Sequence, residues 1–222
     1  MTNPADRLLA DIRELATGIS SRAAEIEAGR RMSPDLVEAL RSIGIFRMFV
    51  PRSHGGLELD MPAALEIFGA LSRIDGSVGW TAMIGGGCDM FASLLPRDTY
   101  EQVYQNGPDV IIAGTVQPAG RAEAVAGGWR VNGRWPFASG CQHADWMFGL
   151  CVMTEAGKPL PGPAGEGGHR WSGASSCRRA SGTSRTPGTS QGSRVLGAIT
   201  SHSRSLDYDQ AEPLKSSLPA LT

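Results

Sequence analysis

Residues 128–140 read Gly128-Trp129-Arg130-Val131-Asn132-Gly133-Arg134-Trp135-Pro136-Phe137-Ala138-Ser139-Gly140. Asn-Gly between two short runs containing aromatic and β-branched residues is the strongest short hairpin signal, because both residues tolerate a positive φ. The expected arms are 128–131 and 134–137, with Asn132-Gly133 at the turn. Val110-Ile111-Ile112-Ala113-Gly114-Thr115 upstream is a strand candidate. Downstream, 145–154 alternates through Trp146, Phe148, Leu150 and Val152, and reads as another strand.

Upstream of residue 107 the period is helical. Leu8, Ile12, Leu15, Ile19, Ala23 and Ile26 recur at steps of four and three and predict one helix, closed by Gly29 and Arg30-Arg31. Ser33-Pro34-Asp35 predicts the next helix, with Ser33 as N-cap, Pro34 at the first position and an acid in the first turn. Its expected stripe is Leu36, Leu40 and Ile43, and Gly44 ends it. Pro51 stops a short apolar link, and His54-Gly55-Gly56 is a turn. Asp60 is expected to cap a helix carrying Ala64, Ile67, Phe68 and Leu71. Asp75-Gly76-Ser77 precedes an apolar helix over 78–94 that contains the awkward triplet Gly85-Gly86-Gly87. Pro96 starts a last short helix. The fold class that follows is α+β: an all-α helical domain over 1–107, an incomplete antiparallel β-barrel domain over 108–168, and a disordered tail.

The tail is the second compositional fact. From His169 to Ser205 there is no Asp or Glu, only a background of Ser, Arg, Gly and Thr with scattered apolar residues. Such a stretch buries too little apolar surface to offset the entropy of ordering it. The 222 residues carry a net charge of −1 and 41% apolar residues, which gives no bias toward nucleic acid or a membrane surface. No apolar run reaches the roughly 20 residues a bilayer demands. The N-terminus has no secretory pattern, so a cytoplasmic protein is expected. Cys88, Cys141, Cys151 and Cys177 lack metal or redox spacing and are expected as reduced thiols, and no metal site is expected.

The helical region, Pro51-x-x-x-Gly55-Gly56, and Asn132-Gly133-Arg134-Trp135-Pro136-Phe137-Ala138-Ser139-Gly140-x-x-His143-Ala144-Asp145 together resemble the acyl-CoA dehydrogenase superfamily. Within it they resemble the flavin-dependent monooxygenase branch, which includes phenol hydroxylase oxygenase components and dibenzothiophene monooxygenase. The resemblance covers about residues 5–160. It implies oxidoreduction with reduced FAD or FMN on a small aromatic or related substrate. A flavin reductase partner and a homo-oligomer of the full-length protein are implied with it. It places Phe137 against the flavin, with the backbone of Ala138 and the hydroxyl of Ser139 bonded near its reactive edge. Gly114 and Thr115 would lie on the preceding flavin-side strand. Trp80 would line the substrate cavity; apart from the resemblance, a core tryptophan is the default for an apolar helix. Several hydroxylases carry a flavin-facing histidine eight residues after that tryptophan, where this chain has Cys88. His54 and His143 read as loop or strand-end residues. No catalytic base is identified. Two alternatives stay open: an acyl-CoA dehydrogenase proper, and a non-catalytic helical interaction module with a basic disordered arm.

A shifted reading frame also accounts for the tail. Each residue fixes two bases of every codon, and with free choice of the third base His169 to Ala198 can spell Pro-Val-Val-Arg-Gly-Phe-Phe-Leu-Pro-Ala-Ser-Glu-Trp-His-Val-Glu-Asp-Thr-Trp-His-Val-Ala-Gly-Leu-Lys-Gly-Thr-Gly-Ser. That peptide alternates like a β-domain and resembles the superfamily's continuation. The expectation is a chain frameshifted after about residue 168, truncated relative to its family and weakly active or inactive.

Overall fold

The computed structural model describes residues 3–125, 128–162, 165–169, 176–178, 194–196, 207–209 and 214–215. They fall into two units, one comprising 1–90, 104–112 and 142–144, the other 91–103, 113–141 and 145–222.

The first unit is helical. Helix α1 (Pro4–Ser20) starts where Asn3 accepts a hydrogen bond from the Ala5 amide, and it buries Leu8, Ile12 and Ile19. The single expected helix is in fact two, since α2 (Ala23–Gly29) follows a break at Ser21-Arg22. The break turns Ala23 out to solvent, and only Ile26 of α2 is buried. Arg30 then takes the left-handed conformation, φ 51°, to end it.

Helix α3 (Pro34–Ile43) begins at Ser33, but the Ser33 side chain makes no capping bond. The hydroxyl instead accepts from Arg22 Nη1 at 3.0 Å, and the same guanidinium pairs with Asp35. The buried stripe of α3 is Leu36, Val37 and Leu40, with Ile43 only half-buried. Gly44 closes the helix at φ 98°, as expected. The apolar link is a 3-10 turn, Ile45–Arg47, and His54 ends a second one, Arg52–His54.

Helix α4 (Met61–Ile74) is capped by Asp60, which accepts from the Ala63 amide at 2.9 Å. Its buried residues are the four expected. Asp75 accepts from the Ser77 and Val78 amides, each at 2.9 Å, and opens α5 (Gly76–Gly87). The apolar helix therefore stops at the glycine triplet rather than running to Leu94, and a single turn, α6 (Asp89–Ala92), follows. Two of the three glycines have a packing reason. A Cβ on Gly86 would lie 2.6 Å from the Ile45 carbonyl oxygen, and one on Gly85 3.0 Å from the Phe46 ring.

The second unit contains α7 (Arg97–Val103) and most of a mixed sheet. Strand β1 (Ile112–Val125) pairs antiparallel with β2 (Gly128–Arg134) from Val125 opposite Gly128 to Gly120 opposite Gly133. Asn132-Gly133 is thus strand, not turn, and neither residue has a positive φ. The connection between β1 and β2 lies at residues 126–127, outside the described residues. Strand β3 (Trp146–Glu155) turns at Ala156-Gly157 into β4 (Lys158–Pro159). Both turn residues have positive φ, 48° and 75°, which is the type I′ pattern expected at Asn132-Gly133.

The alternation expected for β3 is also corrected. Trp146, Met147, Phe148 and Gly149 are all buried, after which Cys151 and Met153 face inward while Leu150 and Val152 are half-exposed. Beyond β4 the described segments are short strands: β5 (Pro161–Gly162) with β6 (Gly165–His169), and β7 (Ser176–Arg178), β8 (Arg194–Leu196), β9 (Asp207–Asp209) and β10 (Leu214–Lys215). The main sheet runs β10-β2-β1-β3-β8-β7, with β4 on β3 and β9 on β2. The β3–β8 pair is parallel, so the sheet is mixed rather than purely antiparallel, and it does not close into a barrel. The rest of the expected disordered tail lies outside the described residues.

Candidate functional site

Five of the six resemblance-derived positions belong to the second unit and Trp80 to the first. Phe137 was expected to end the second arm of the hairpin, with Ala138 and Ser139 following it. They instead occupy a connection of turns and bends between β2 and β3. The reason lies in Trp135-Pro136. Trp135 is fully buried, its indole Nε1 donating to the Leu150 carbonyl at 2.8 Å. Pro136 supplies no amide for a continued ladder. The chain then folds back, with the Ser139 amide donating to the Phe137 carbonyl at 2.8 Å and the Cys141 amide to the Ala138 carbonyl at 3.2 Å.

Phe137 sits at φ 60°, a region that non-glycine residues enter at a cost of about 1–3 kcal/mol. Its ring is not used for packing, being 84% exposed, while the neighbouring Ala138 is buried. Ser139 is half-exposed, and its hydroxyl makes no hydrogen bond among the described residues. A strained backbone thus presents an uncovered aromatic ring, and two residues on a small hydroxyl stays available. This is a suitable surface for a planar heteroaromatic group: one side chain to stack on it, one donor for its polar edge. On that observation the residues fit a flavin.

Gly114 and Thr115 lie on β1. Gly114 has a packing reason of its own, since a Cβ there would come within 2.3 Å of both the Phe148 ring and the Phe148 carbonyl oxygen. Phe148 in turn stacks at 4.7 Å on Phe91. The Thr115 oxygen accepts from the Gln117 amide at 3.3 Å, which leaves its hydroxyl proton to donate.

In the first unit, Trp80 is not the core residue that an apolar helix suggests. Helix α5 buries Val78, Gly79, Ala82, Gly85 and Gly86, and leaves Trp80 53% exposed. Cys88 is buried, and desolvation pushes its thiol up to about 12. It is therefore a neutral thiol that cannot take over an imidazole's proton chemistry at neutral pH. His143 is half-buried, and burial, with the Arg31 charge second, lowers its value and keeps it neutral at neutral pH. The Ser53 hydroxyl and His54 Nδ1 lie 3.0 Å apart on the surface; His54 ends a 3-10 turn and His143 lies in the connection between β2 and β3. No cluster of three potential metal ligands occurs among the described residues.

Two polar pairs, the first half-buried and the second buried, escaped sequence reading. Arg47 Nη1 donates to Asp109 Oδ2 at 2.9 Å, and Arg41 donates to the Asp109 carbonyl. Tyr104 donates to Asp89 Oδ1 at 3.2 Å. The available signal for the second was one acid alone in the otherwise uncharged run from Gly85 to Leu95.

Residues 5–99 match the family described as acyl-CoA dehydrogenase, N-terminal domain. Residues 5–99 are thus similar to the N-terminal domain of acyl-CoA dehydrogenases. An indole-3-acetate monooxygenase of Acinetobacter baumannii is 41% identical over 63% of this chain and 34% of its own length. The oxygenase component of an FADH2-dependent resorcinol hydroxylase of a Rhizobium species is 32% identical over 73% of this chain and 40% of its own. Among solved structures, the HsaA monooxygenase of Mycobacterium tuberculosis superposes with a TM-score of 0.67 at 33% identity, covering 71% of this chain and 41% of that one. The chain spans about two fifths of the length of the relatives it matches. By name these relatives are monooxygenases or, for the resorcinol enzyme, an FADH2-dependent hydroxylase. No described helix is long and apolar enough to cross a membrane.

Proposed function

We propose that this chain is part of the oxygenase component of a cytoplasmic flavin-dependent monooxygenase that hydroxylates a small aromatic substrate. The single observation that carries the reading is the Phe137–Ser139 turn: a strained residue exposing an aromatic ring, followed by a hydroxyl with no hydrogen bond among the described residues. The relatives named above act on indole-3-acetate and resorcinol, both aromatic, and one is FADH2-dependent by name.

In this reading Phe137 packs on the isoalloxazine, while the Ala138 backbone and the Ser139 hydroxyl hold its polar edge. Gly114 and Thr115 line the same ring from β1, and the exposed indole of Trp80 stacks on the substrate. Bound reduced flavin, FAD or FMN, supplies the two electrons for oxygen activation. The protein's part is to fix ring orientation and to offer donors of set direction. A separate flavin reductase delivers the reduced cofactor, and the full-length protein is a homo-oligomer. We assign 1–107 to the helical domain, 108–168 to part of the middle β-domain, and the remainder to an out-of-frame tail.

Titration of the protein with FMN and FAD, followed by fluorescence quenching, tests the reading. Binding tighter than about 10 µM, about 7 kcal/mol, supports it. Hydroxylated product from chemically reduced flavin, oxygen and resorcinol or indole-3-acetate then separates monooxygenase from dehydrogenase. Absence of flavin binding by a folded chain removes the proposal. Sequencing the coding DNA decides the frame: wobble bases that do not spell the alternative peptide reject the slip.

A further inference from the structure

We propose that Asp89 and Tyr104 form a proton-gated clasp on the segment between them, closed while Asp89 is a neutral acid and loosened once it ionises. Asp89 opens α6 and Tyr104 directly follows α7, so their hydrogen bond joins the two ends of residues 89–104. Both side chains are buried, 4% and 6% exposed.

The hydrogen-bond inventory decides the protonation state. Asp89 Oδ1 receives the Tyr104 hydroxyl, whereas Oδ2 is buried with no hydrogen-bond partner among the described residues. No Lys, Arg or His among the described residues pairs with Asp89. The other ionisable groups facing it oppose a negative charge or cannot neutralise it. Cys88 is an adjacent neutral thiol, Tyr104 a neutral phenol, and Asp109 a second acid whose repulsion acts on Asp89. The guanidiniums that meet Asp109 are Arg47, through its carboxylate, and Arg41, through its carbonyl. A buried carboxylate with one orphaned oxygen costs several kcal/mol, far more than a buried neutral acid. Burial accordingly pushes the Asp89 carboxyl well above its ordinary value of 3.8.

The direction of the pH effect follows. Between 3.8 and the raised value, folding takes up a proton. The contribution is complete below 3.8, declines as pH rises through that window, and is spent above the raised value. Ionisation puts a charge beside Asp109 in a site that cannot solvate it, so the 89–104 segment opens locally before the helices unfold.

Asp89→Asn mimics the protonated acid and supplies the test on the full chain. The expected result is a urea midpoint at about pH 8 above that of the wild type, with a folded-to-unfolded ratio higher by about tenfold or more. The wild type's decline as pH rises above 3.8 should be flatter in the variant. Amide exchange in 91–103, corrected for intrinsic rates, should accelerate with pH in the wild type and not in the variant. A variant less stable than the wild type at neutral pH, with the same pH slope, overturns the proposal. Should Asp89→Asn fail to fold, the carboxyl carbon shift of Asp89 in the wild type decides alone. A protonated signal at about pH 6 supports the clasp, and an ionised one rejects it.

Discussion

The Trp135 indole nitrogen donates to the Leu150 carbonyl at 2.8 Å, tying the residue after β2 to the middle of β3. The same ring explains two glycines. A Cβ on Gly120 would lie 2.0 Å from Trp135 Cζ2 and 2.7 Å from Cys151 Sγ, and one on Gly133 would lie 2.8 Å from Trp135 Cη2. These glycines face each other across β1 and β2 and leave room for the indole. Gly133 therefore serves close packing rather than a turn.

Substitutions at this cluster should be severe. Trp135→Phe removes the donor and opens a cavity, with an expected loss of about 2–4 kcal/mol. Gly120→Ala should cost about 3 kcal/mol or more, because the clash is with a ring that has nowhere to move. Urea unfolding followed by far-ultraviolet circular dichroism measures both. A Gly120→Ala variant within about 0.5 kcal/mol of the wild type rejects this packing.

The β3–β4 turn yields the opposite sign. Ala156 holds φ 48°, where Asn is far better tolerated than Ala. Ala156→Asn should stabilise the protein by about 0.5–1 kcal/mol, read from the same urea midpoint. Glu123 supports this turn by accepting from the Gly157 amide at 3.0 Å and from the Thr154 hydroxyl, and the Thr154 bond, foremost, holds its carboxyl below the ordinary 4.5. Its contribution is present above pH 4.5 and lost as pH falls through the lowered value, and Glu123→Gln should erase that component of acid sensitivity.

How much of this was legible in the sequence follows from which interactions are local. Asp60, Asp75, Gly44 and the stripes of α1 and α4 were readable because a cap or a helical period is set within a few residues. Asn132-Gly133 misled because the dipeptide's local preference for a turn lost to Trp135, whose partners Gly120 and Leu150 are distant in sequence. Ser33 lost its capping role to Arg22, and the 78–94 helix ended early where Gly86 had to approach Ile45. The resemblance singled out Phe137–Ser139 but gave no sign of the turn they adopt. The positive φ of Phe137 follows from Trp135 being anchored in the core just before Pro136.

The thiols should react in a set order. Cys88 and Cys151 are buried, and desolvation pushes each up to about 12, against an ordinary 9.0. At about pH 8 each then holds about a thousandfold less thiolate than an ordinary cysteine, while Cys141 is half-exposed. In a Cys177→Ser background, an aromatic disulfide reagent should modify one thiol quickly, and mass spectrometry should place it at Cys141. Rapid labelling of Cys88 in native protein would contradict the burial that takes it out of imidazole-like chemistry.

Phe137 and Ser139 give the sharpest separation of binding from stability. Both are exposed or half-exposed and hold nothing else in place, so Ser139→Ala should leave the urea midpoint within about 0.5 kcal/mol. Loss of one hydrogen bond to flavin should weaken binding by about 1 kcal/mol, about fivefold. Phe137→Ala should cost more, about tenfold or greater, through lost ring stacking. Phe137→Gly relieves the positive φ and should stabilise the fold while still weakening flavin binding. Fluorescence titration beside urea unfolding reads both quantities. If the three variants bind flavin as tightly as the wild type, the ring does not rest on this turn, even if the chain binds flavin elsewhere.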